Sequence, residues 1–240
     1  MGSFFAGIKA GTLSGIIYVG GMAAFNVVLL YALQSSVIAA VNRSYPVQCP
    51  LTPNINGSAQ DCFSALVSYD VPFLAFVAFF ITLLYAGIFG IYYDAFRIDS
   101  TAKGWVVGAI VAVNLVFFGY SGYVFNFESA AASTAFLIVW TAFFGYSLAR
   151  FYRKYTRAVR FESQDPGLLR IMVDGRDQTG KERTFALTSN HRIKAEVSDD
   201  ASFKEWIPDG GISLEGSRSF DTTMEVNGVG SLTGGVGKKY

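Results

Sequence analysis

Charged side chains are scarce in this chain of 240 residues, where Asp, Glu, Lys and Arg together make up 15%. An ordinary soluble domain has about 25%. The formal net charge is only +1, which argues against a general nucleic-acid-binding protein. Hydrophobic residues make up 52% of the chain. This composition predicts that much of the protein lies in a lipid bilayer, and we expect no nucleic-acid partner.

Histidine is almost absent, since His191 is the only one in the chain. A single chain therefore cannot supply a bis-histidine haem site, a His-rich metal centre or a histidine relay through a membrane. The sequence also lacks a phosphate-binding glycine loop, a nucleophile elbow and a zinc-protease motif. We predict no catalytic residue, no cofactor and no metal. These absences disfavour an enzyme that acts alone, without settling the question.

Four long segments contain no charged residue: 10–42, 71–93, 104–127 and 129–149. A helix needs roughly 20 apolar residues to cross a bilayer, and only a helix satisfies its own backbone there. The alternative for the first segment is a cleaved signal peptide, but its apolar run exceeds the usual core of about 7–15 residues. The sequence therefore predicts an all-α four-helix transmembrane bundle over 12–150, followed by a small β-rich soluble C-terminal domain. We place the spans at about 12–34, 72–93, 104–125 and 130–149, with 37–41 as a helical extension of the first.

A basic cluster, RFYRKYTRAVR at 150–160, follows the last span without any acidic residue. Cations next to a span stay on the cytoplasmic side. With the N-terminal segment 1–11 inside, eight cations of the short connections are cytoplasmic and one is outside. We therefore predict a cell-membrane protein with both termini in the cytoplasm and a basic juxtamembrane segment at 151–161. The predicted topology determinants are Arg150, Arg153, Lys154, Arg157 and Arg160.

The connection 42–70 is predicted to be an outer loop, and it holds both cysteines, Cys49 and Cys62. Disulfides persist outside the cell, so we predict that these two residues form one; two free thiols are the alternative. The same loop contains two N-x-Ser sequons, at Asn42 and Asn56. Both are candidate glycosylation sites, if the organism glycosylates.

Glycines recur every four residues at the start of the first span, at Gly7, Gly11 and Gly15. Such a stripe lets another helix approach closely. The partner helix belongs either to another subunit or to the same bundle. Amides inside spans, Asn26 and Asn114, are expected to hydrogen-bond neighbouring helices. The acidic residues at the predicted span ends are expected to be boundary charges solvated by water; they are Asp70, Asp94 and Glu128.

The segment after the basic cluster is predicted to be a cytoplasmic β-rich domain over 162–227, followed by a flexible Gly-rich tail over 228–240. Residues 162–240 hold 10 Lys or Arg and 13 Asp or Glu, as expected for a region in water. Alternation of apolar and polar residues, with turn residues between, predicts the elements. They are strands at 168–173 and 182–187 joined as a hairpin, strands at 192–197, 212–214 and 222–226, and a short helix at 199–206.

The most favoured function is a non-enzymatic, multi-pass integral membrane protein that anchors the cytoplasmic β-domain. Its partners would be the lipid bilayer and either further copies of itself or other membrane subunits. One alternative is an oligomeric channel or facilitator, because a pore can be lined by backbone and neutral polar side chains. Another is an accessory subunit of a membrane enzyme complex. The residues support no assignment to a protein family.

Overall fold

A computed structural model describes residues 3–44, 58–95, 99–117 and 127–238. These residues cluster into two compact units. We call the first the β unit; it comprises Met1–Lys9, Gly87–Arg97 and Tyr152–Tyr240. The second, the helical unit, comprises Ala10–Ala86 and Ile98–Phe151.

Six α-helices precede the sheet in the described part of the chain. Three helical segments, Phe4–Ala32, Ala59–Ala95 and Ala131–Tyr155, are long and apolar enough to cross a membrane. The prediction of four spans is therefore not confirmed: α5 is described only to Phe117, and the rest of predicted span 104–125 lies outside the described residues. The helices are α1 (Phe4–Ala32), α2 (Gln34–Ser44), α3 (Ala59–Ala65), α4 (Val71–Tyr92), α5 (Ser100–Phe117) and α6 (Phe127–Tyr155).

The predicted outer loop 42–70 is more helical than expected. Its first residues belong to α2, and helix resumes with α3 after a gap in the described residues at 45–57. Ser58 begins α3 with a reciprocal cap, because the Ser58 backbone N–H donates to the Asp61 carboxylate at 2.7 Å and the Asp61 N–H donates to Ser58 Oγ. A π turn, Leu66–Asp70, then joins α3 to α4 without a break.

Polar side chains of the helices are satisfied mainly by their own helix. Asn26 Nδ2 donates to the Met22 carbonyl at 2.9 Å, and Asn114 Nδ2 donates to the Ile110 carbonyl at 2.8 Å. The expectation that these amides bond neighbouring helices is therefore wrong. The carbonyl one turn back lies within reach of a short amide side chain, so no second helix is needed.

The C-terminal region forms a curled, mixed sheet of seven strands. Six strands follow the order β3-β2-β5-β7-β1-β4, and β6 pairs with β7. The pairing of β1 with β7 is parallel, while the other pairs are antiparallel. The strands are β1 (Thr156–Ser163), β2 (Leu169–Val173), β3 (Arg176–Asp177), β4 (Glu182–Ala186), β5 (Ser189–Val197), β6 (Ala201–Leu214) and β7 (Asp221–Lys238).

One apolar core fills the concave side of the sheet, and every strand except β3 contributes to it. Alternate residues of each strand point inward, so the core receives Phe161 from β1, Phe185 from β4 and Trp206 from β6. Glycine allows close approach between strands: a Cβ on Gly234 would overlap Leu169, and one on Gly211 would overlap Gly228. The long strands β6 and β7 therefore approach their neighbours where a side chain could not fit.

Three predictions for this region were wrong. Residues 199–206 are not a helix, since β6 begins at Ala201. Residues 228–238 are not a flexible tail but the second half of β7, paired with β6 and β1. The predicted hairpin is also mispaired, because 182–186 form β4 beside β1 whereas β2 pairs with β3 and β5. Glycine weakens strand propensity, and the close approaches above explain why glycine is nevertheless required in β7.

The sheet begins earlier than the predicted boundary at Glu162. Helix α6 ends at Tyr155, and β1 starts at the next residue. The basic cluster is thus divided between the last turn of a helix and a strand inside the sheet, with no flexible linker between them.

Candidate functional site

The hydroxyl of Tyr152 connects segments of the β unit that are far apart in sequence. Its side chain is fully buried. The hydroxyl accepts the Ser3 backbone N–H at 3.0 Å and donates to the Gly90 carbonyl at 3.2 Å. One phenol therefore joins the start of α1, the end of α4 and the end of α6. We call this arrangement the Tyr152 junction.

Aromatic packing fixes the ring of Tyr152. Its centroid lies 5.4 Å from that of Phe89 and 4.5 Å from that of Tyr93. The Phe89 ring in turn meets the Tyr93 ring edge-on at 5.3 Å. Edge-to-face and tilted contacts of this kind add to simple burial, so the hydroxyl is held at a defined point between its two backbone partners.

Small residues allow the backbones to meet at the Tyr152 junction. A Cβ on Gly90 would overlap the Ser3 carbonyl and come within 3.0 Å of the Gly7 Cα. Gly7 therefore lies where α1 meets the end of α4, within the β unit. Its predicted role in helix packing is compatible with this contact, although the contact is within one chain.

Asp94 links the end of α4 to the sheet. One carboxylate oxygen accepts the backbone N–H of Thr184 at 3.1 Å. Thr184 lies on β4, a strand at the edge of the sheet whose outward N–H groups would otherwise be open to another strand. The expectation of a merely solvated boundary charge was therefore wrong for Asp94, because its carboxylate closes part of a sheet edge.

The basic cluster has one structural member and several exposed ones. The guanidinium of Arg157 donates through Nη1 to the carbonyls of Arg153 at 3.1 Å, Lys154 at 3.2 Å and Thr156 at 2.7 Å. It thereby caps the C-terminal end of α6, where a cation is favourable. Arg160 pairs with Glu162 at 2.9 Å. The exposed cations of the cluster are Arg150, Arg153, Lys154 and Arg160.

A serine, the histidine and an aspartate form a chain of contacts on the sheet. His191 Nδ1 lies 2.8 Å from Asp174 Oδ2, and His191 Nε2 lies 2.8 Å from Ser189 Oγ. The order resembles that of a hydrolase triad. However, the Ser189 hydroxyl also has the Ala186 carbonyl at 2.5 Å. This carbonyl competes with His191 Nε2 for the hydroxyl proton, and the contact holds Ser189 in the turn between β4 and β5.

The turn that carries Asp174 adds further bonds to this cluster. Asp174 lies in the left-handed region at φ 49°. Its carboxylate accepts the Arg192 backbone N–H at 3.3 Å and lies 3.9 Å from Arg183 Nη1. The Phe185 ring lies 4.5 Å from the imidazole of His191. The cluster therefore fixes the β2–β3 turn against the start of β5.

A shallow polar groove of about 460 Å³ lies along β5 and β7. Across it, Arg192 makes a bidentate ion pair with Asp221, at 2.8 Å from Nε and 2.5 Å from Nη2. Hydrogen bonding to Arg192 lowers the pKa of the Asp221 carboxyl, and the same contact raises the pKa of Arg192. Since the two charges satisfy each other, the groove has no uncompensated charge from this pair with which to bind an ion. Its lining consists of Asn190, Arg192, Glu215, Gly216, Asp221, Thr222 and Thr223.

Two of the predicted packing glycines face α4 inside the helical unit. A Cβ on Gly11 would overlap Ala86, and one on Gly15 would lie 2.8 Å from Thr82 Oγ1. Of the two alternatives for the stripe, these contacts represent packing within one chain. Whether any part of the stripe also meets a second subunit stays a prediction.

The remaining predicted site residues lie on α2 and α3 or outside the described residues. Cys62 is buried in α3, and Asn42 is exposed on α2. Cys49 and Asn56 lie outside the described residues. The disulfide and both glycosylation sites therefore stay predictions.

No group of three or more His, Cys, Asp or Glu residues within the described ranges could hold a metal ion.

No family model, curated protein or solved structure matches the chain. In the sequence, Tyr152 was only one aromatic residue among many, and no local pattern indicated that it joins segments about 60 and 150 residues away.

Proposed function

We propose that this protein is a multi-pass integral membrane protein that is not an enzyme by itself. Its helices hold the β-domain at the cytoplasmic face of the cell membrane, and it assembles with further copies or with other membrane subunits. The observation that best supports this proposal is the Tyr152 junction, because it ties the domain to three helix ends in place of a flexible linker.

Contacts on both sides of the junction support a fixed attachment. The chain passes from α6 directly into β1, and Arg157 caps the helix at that point. Asp94 bonds the edge strand β4 from the end of α4. A domain that only needed tethering would require one covalent connection. These additional bonds support a role in which the position of the domain matters.

The basic cluster supports the cytoplasmic placement. Arg150, Arg153 and Lys154 are exposed in the last turns of α6. An Arg or Lys at the bilayer centre costs roughly 2.5–3.5 kcal/mol on insertion scales, so moving the cluster across is strongly disfavoured. Anionic lipid head groups on the cytoplasmic side would hold these side chains there.

Protease protection tests the placement. Protease added to sealed cells should leave the β-domain intact, whereas protease added after detergent permeabilisation should have access to it. As a control, an impermeant label should reach a cysteine introduced at Asn54 in the Cys49→Ser/Cys62→Ser background. Loss of the domain from sealed cells would refute both the orientation and the cytoplasmic role.

The mass of the native complex in mild detergent tests assembly. A mass above that of one 26.1 kDa chain plus its bound detergent is expected, with either identical or different subunits. A strictly monomeric particle without partners would contradict this part of the proposal. Ion or solute flux from liposomes containing the purified protein would instead identify a channel or facilitator.

The disulfide and glycosylation belong to the same proposal. Cys49 and Cys62 would then lie on the outer side, where a disulfide persists. Thiol labelling of the unreduced, unfolded protein should modify neither residue, and labelling of both would refute the pairing. Glycosidase treatment should lower the apparent mass only if Asn42 or Asn56 is used, and single Asn→Gln variants would identify which.

A further inference from the structure

Asp70 is a buried acidic residue that takes part neither in the Tyr152 junction nor in the sheet. It ends the π turn between α3 and α4, within the continuous helical segment Ala59–Ala95. Its side chain is only 5% exposed. The sequence predicted a boundary charge solvated by water, and the structure overturns that prediction, because water has almost no access to this carboxyl.

One oxygen of the Asp70 carboxyl also lacks a bonding partner. Its buried Oδ2 makes no hydrogen bond with any of the described residues. Asp61, nine positions earlier on the same helical segment, provides the contrast: its side chain is exposed and accepts two hydrogen bonds from Ser58. An ionised carboxylate buried without a partner is costly, so such a group is expected to be neutralised.

The surroundings offer little charge for this purpose. The neighbours of Asp70 in the chain, Leu66 and Val71, belong to an apolar cluster formed by α1, α2, α3 and the start of α4. The charged residues of these elements near the cluster are Asp61, which bonds Ser58, and Arg43, whose side chain lies outside the described residues. Lys9 is at the other end of α1. Asp70 has no ion pair among the described residues, so a bound proton is the simplest way to remove its charge.

The backbone at Asp70 is also unusual. In the π turn the Val71 N–H donates to the Leu66 carbonyl, five residues back. Single π turns inside α-helices are rare and occur frequently at functional sites. Here the wide turn is the segment whose last residue is the buried acid. The irregular backbone and the unpartnered carboxyl are two separate observations at one place.

We propose that Asp70 is a proton-binding carboxyl, protonated at neutral pH while the helices are in the membrane. The exchange involves one proton only: the carboxylic acid releases H⁺ to give the carboxylate and takes it up again. This site goes beyond the anchoring function, and it does not depend on what the β-domain contacts.

Reaction with a hydrophobic carbodiimide tests the proposal. Dicyclohexylcarbodiimide adds to a protonated carboxylic acid in an apolar environment, and the adduct rearranges to a stable N-acylurea that mass spectrometry locates. An ordinary Asp is protonated in only about one molecule in a thousand at pH 7. We therefore expect the full chain in liposomes to be labelled at Asp70 at least about tenfold more than at Asp61. Labelling should fall as the pH is raised.

Two variants give the controls. Asp70→Asn has nearly the shape of the protonated acid but cannot titrate, so it should fold like the parent and lose the adduct. Asp61→Asn should leave labelling at position 70 unchanged. If Asp70 is unlabelled in liposomes at pH 7 but reacts with a water-soluble carbodiimide, it is a solvated carboxylate and the proposal is wrong. If Na⁺, but not choline, suppresses labelling at constant pH, a metal cation occupies the site and the proton assignment is wrong.

Discussion

The helices and the sheet differ in the exposure of their large apolar side chains. In the described residues before Thr156, large apolar side chains are exposed along most helices, including Phe73, Phe76 and Val139 at more than 60%. In the C-terminal region, the exposed large apolar residues are Ile207, Phe220 and Val229, while most of the other large apolar side chains pack into the core. This difference is expected if, as proposed, lipid surrounds the helices and water surrounds the sheet.

Polar groups differ in the same direction. Buried hydroxyls of the helices donate to backbone carbonyls of their own helix. Ser14 donates to the Ala10 carbonyl at 2.9 Å, and Thr141 donates to the Leu137 carbonyl at 2.7 Å. Polar groups of the sheet bond to other segments, as Trp206 Nε1 does to the Ser219 carbonyl at 2.9 Å. These helix hydroxyls therefore need no partner on another segment, whereas the Trp206 indole depends on a tertiary contact.

The largest effect on stability is expected from Trp206→Ala, which removes a large side chain from the apolar core of the sheet. Trp206 is fully buried, and truncation of a buried aromatic residue costs about 3–5 kcal/mol. Urea unfolding of the full chain in detergent, followed by far-UV circular dichroism, should show loss of the β signal at much lower urea while the helical signal persists. Ile207→Ala, at the next and exposed position of β6, is the matched control and should have little effect. Similar midpoints for the two variants would contradict a dry core.

A second prediction separates packed from open helix surface within α1. A Cβ at Gly11 would overlap Ala86, whereas a Cβ at Gly20 meets no atom of another segment within 4 Å. Overpacking typically costs about 1–3 kcal/mol, so Gly11→Leu should lower the thermal midpoint in detergent and Gly20→Leu should not. Equal behaviour of the two variants would mean that α1 and α4 are not packed as described. A change in complex mass for Gly20→Leu alone would place a subunit contact there.

Tyr152→Phe tests whether the junction is held by bonds or only by packing. It keeps the ring but leaves the Ser3 N–H and the Gly90 carbonyl without the hydroxyl, at an expected cost of about 1–2 kcal/mol. Hydrogen exchange should become faster at 3–9 and 87–93. Tyr146→Phe is the control, since the Tyr146 hydroxyl has only a long 3.5 Å contact with exposed Arg150. Unchanged exchange in Tyr152→Phe would assign the junction to packing alone.

The smallest effect is expected from Asp221→Asn on the surface of the sheet. Because Arg192 lowers the pKa of Asp221, the pair stabilises the fold above the ordinary pKa of an Asp, and this contribution is lost as the pH falls through the lowered value. Parent and variant should therefore differ slightly at neutral pH and converge in acid, and salt should reduce the difference. Asp199→Asn, which has no ion pair among the described residues, should show no such convergence. A difference that grows in acid would contradict the assigned ion pair.

Much of the helical region could be predicted from the sequence, because absence of charge over 20 or more residues is a local and strong signal. The helical extension near Val37 and the strand at Leu169–Val173 were likewise local patterns. The π turn was not predictable, since nothing in Leu66–Asp70 distinguishes it from ordinary helix. Asp70 was predicted to be a solvated charge. Its burial depends on segments that are distant in sequence, which a local pattern does not reveal.

The sheet was harder to predict because its pairing is largely non-local. Ser198, Asp199 and Asp200 resemble a helix start, yet the following residues pair with β7 from Ala201 onward. The glycines of β7 suggested a flexible segment, although Gly234 is required where β7 passes Leu169. The sequence pattern at these residues is compatible with more than one secondary structure. The tertiary contacts determine which one forms.

The parallel pairing of β1 with β7 has a kinetic consequence. Val159 is paired with Gly230, roughly 70 residues later, so one side of β1 has no strand partner until the rest of the domain has been synthesised. Such long-range closure slows folding, and unpaired strand edges favour exchange with other chains. We therefore expect β1, which follows α6 directly, to keep one unpaired edge until β7 has been made. Its closure by β7 would be the late, rate-limiting step of domain folding.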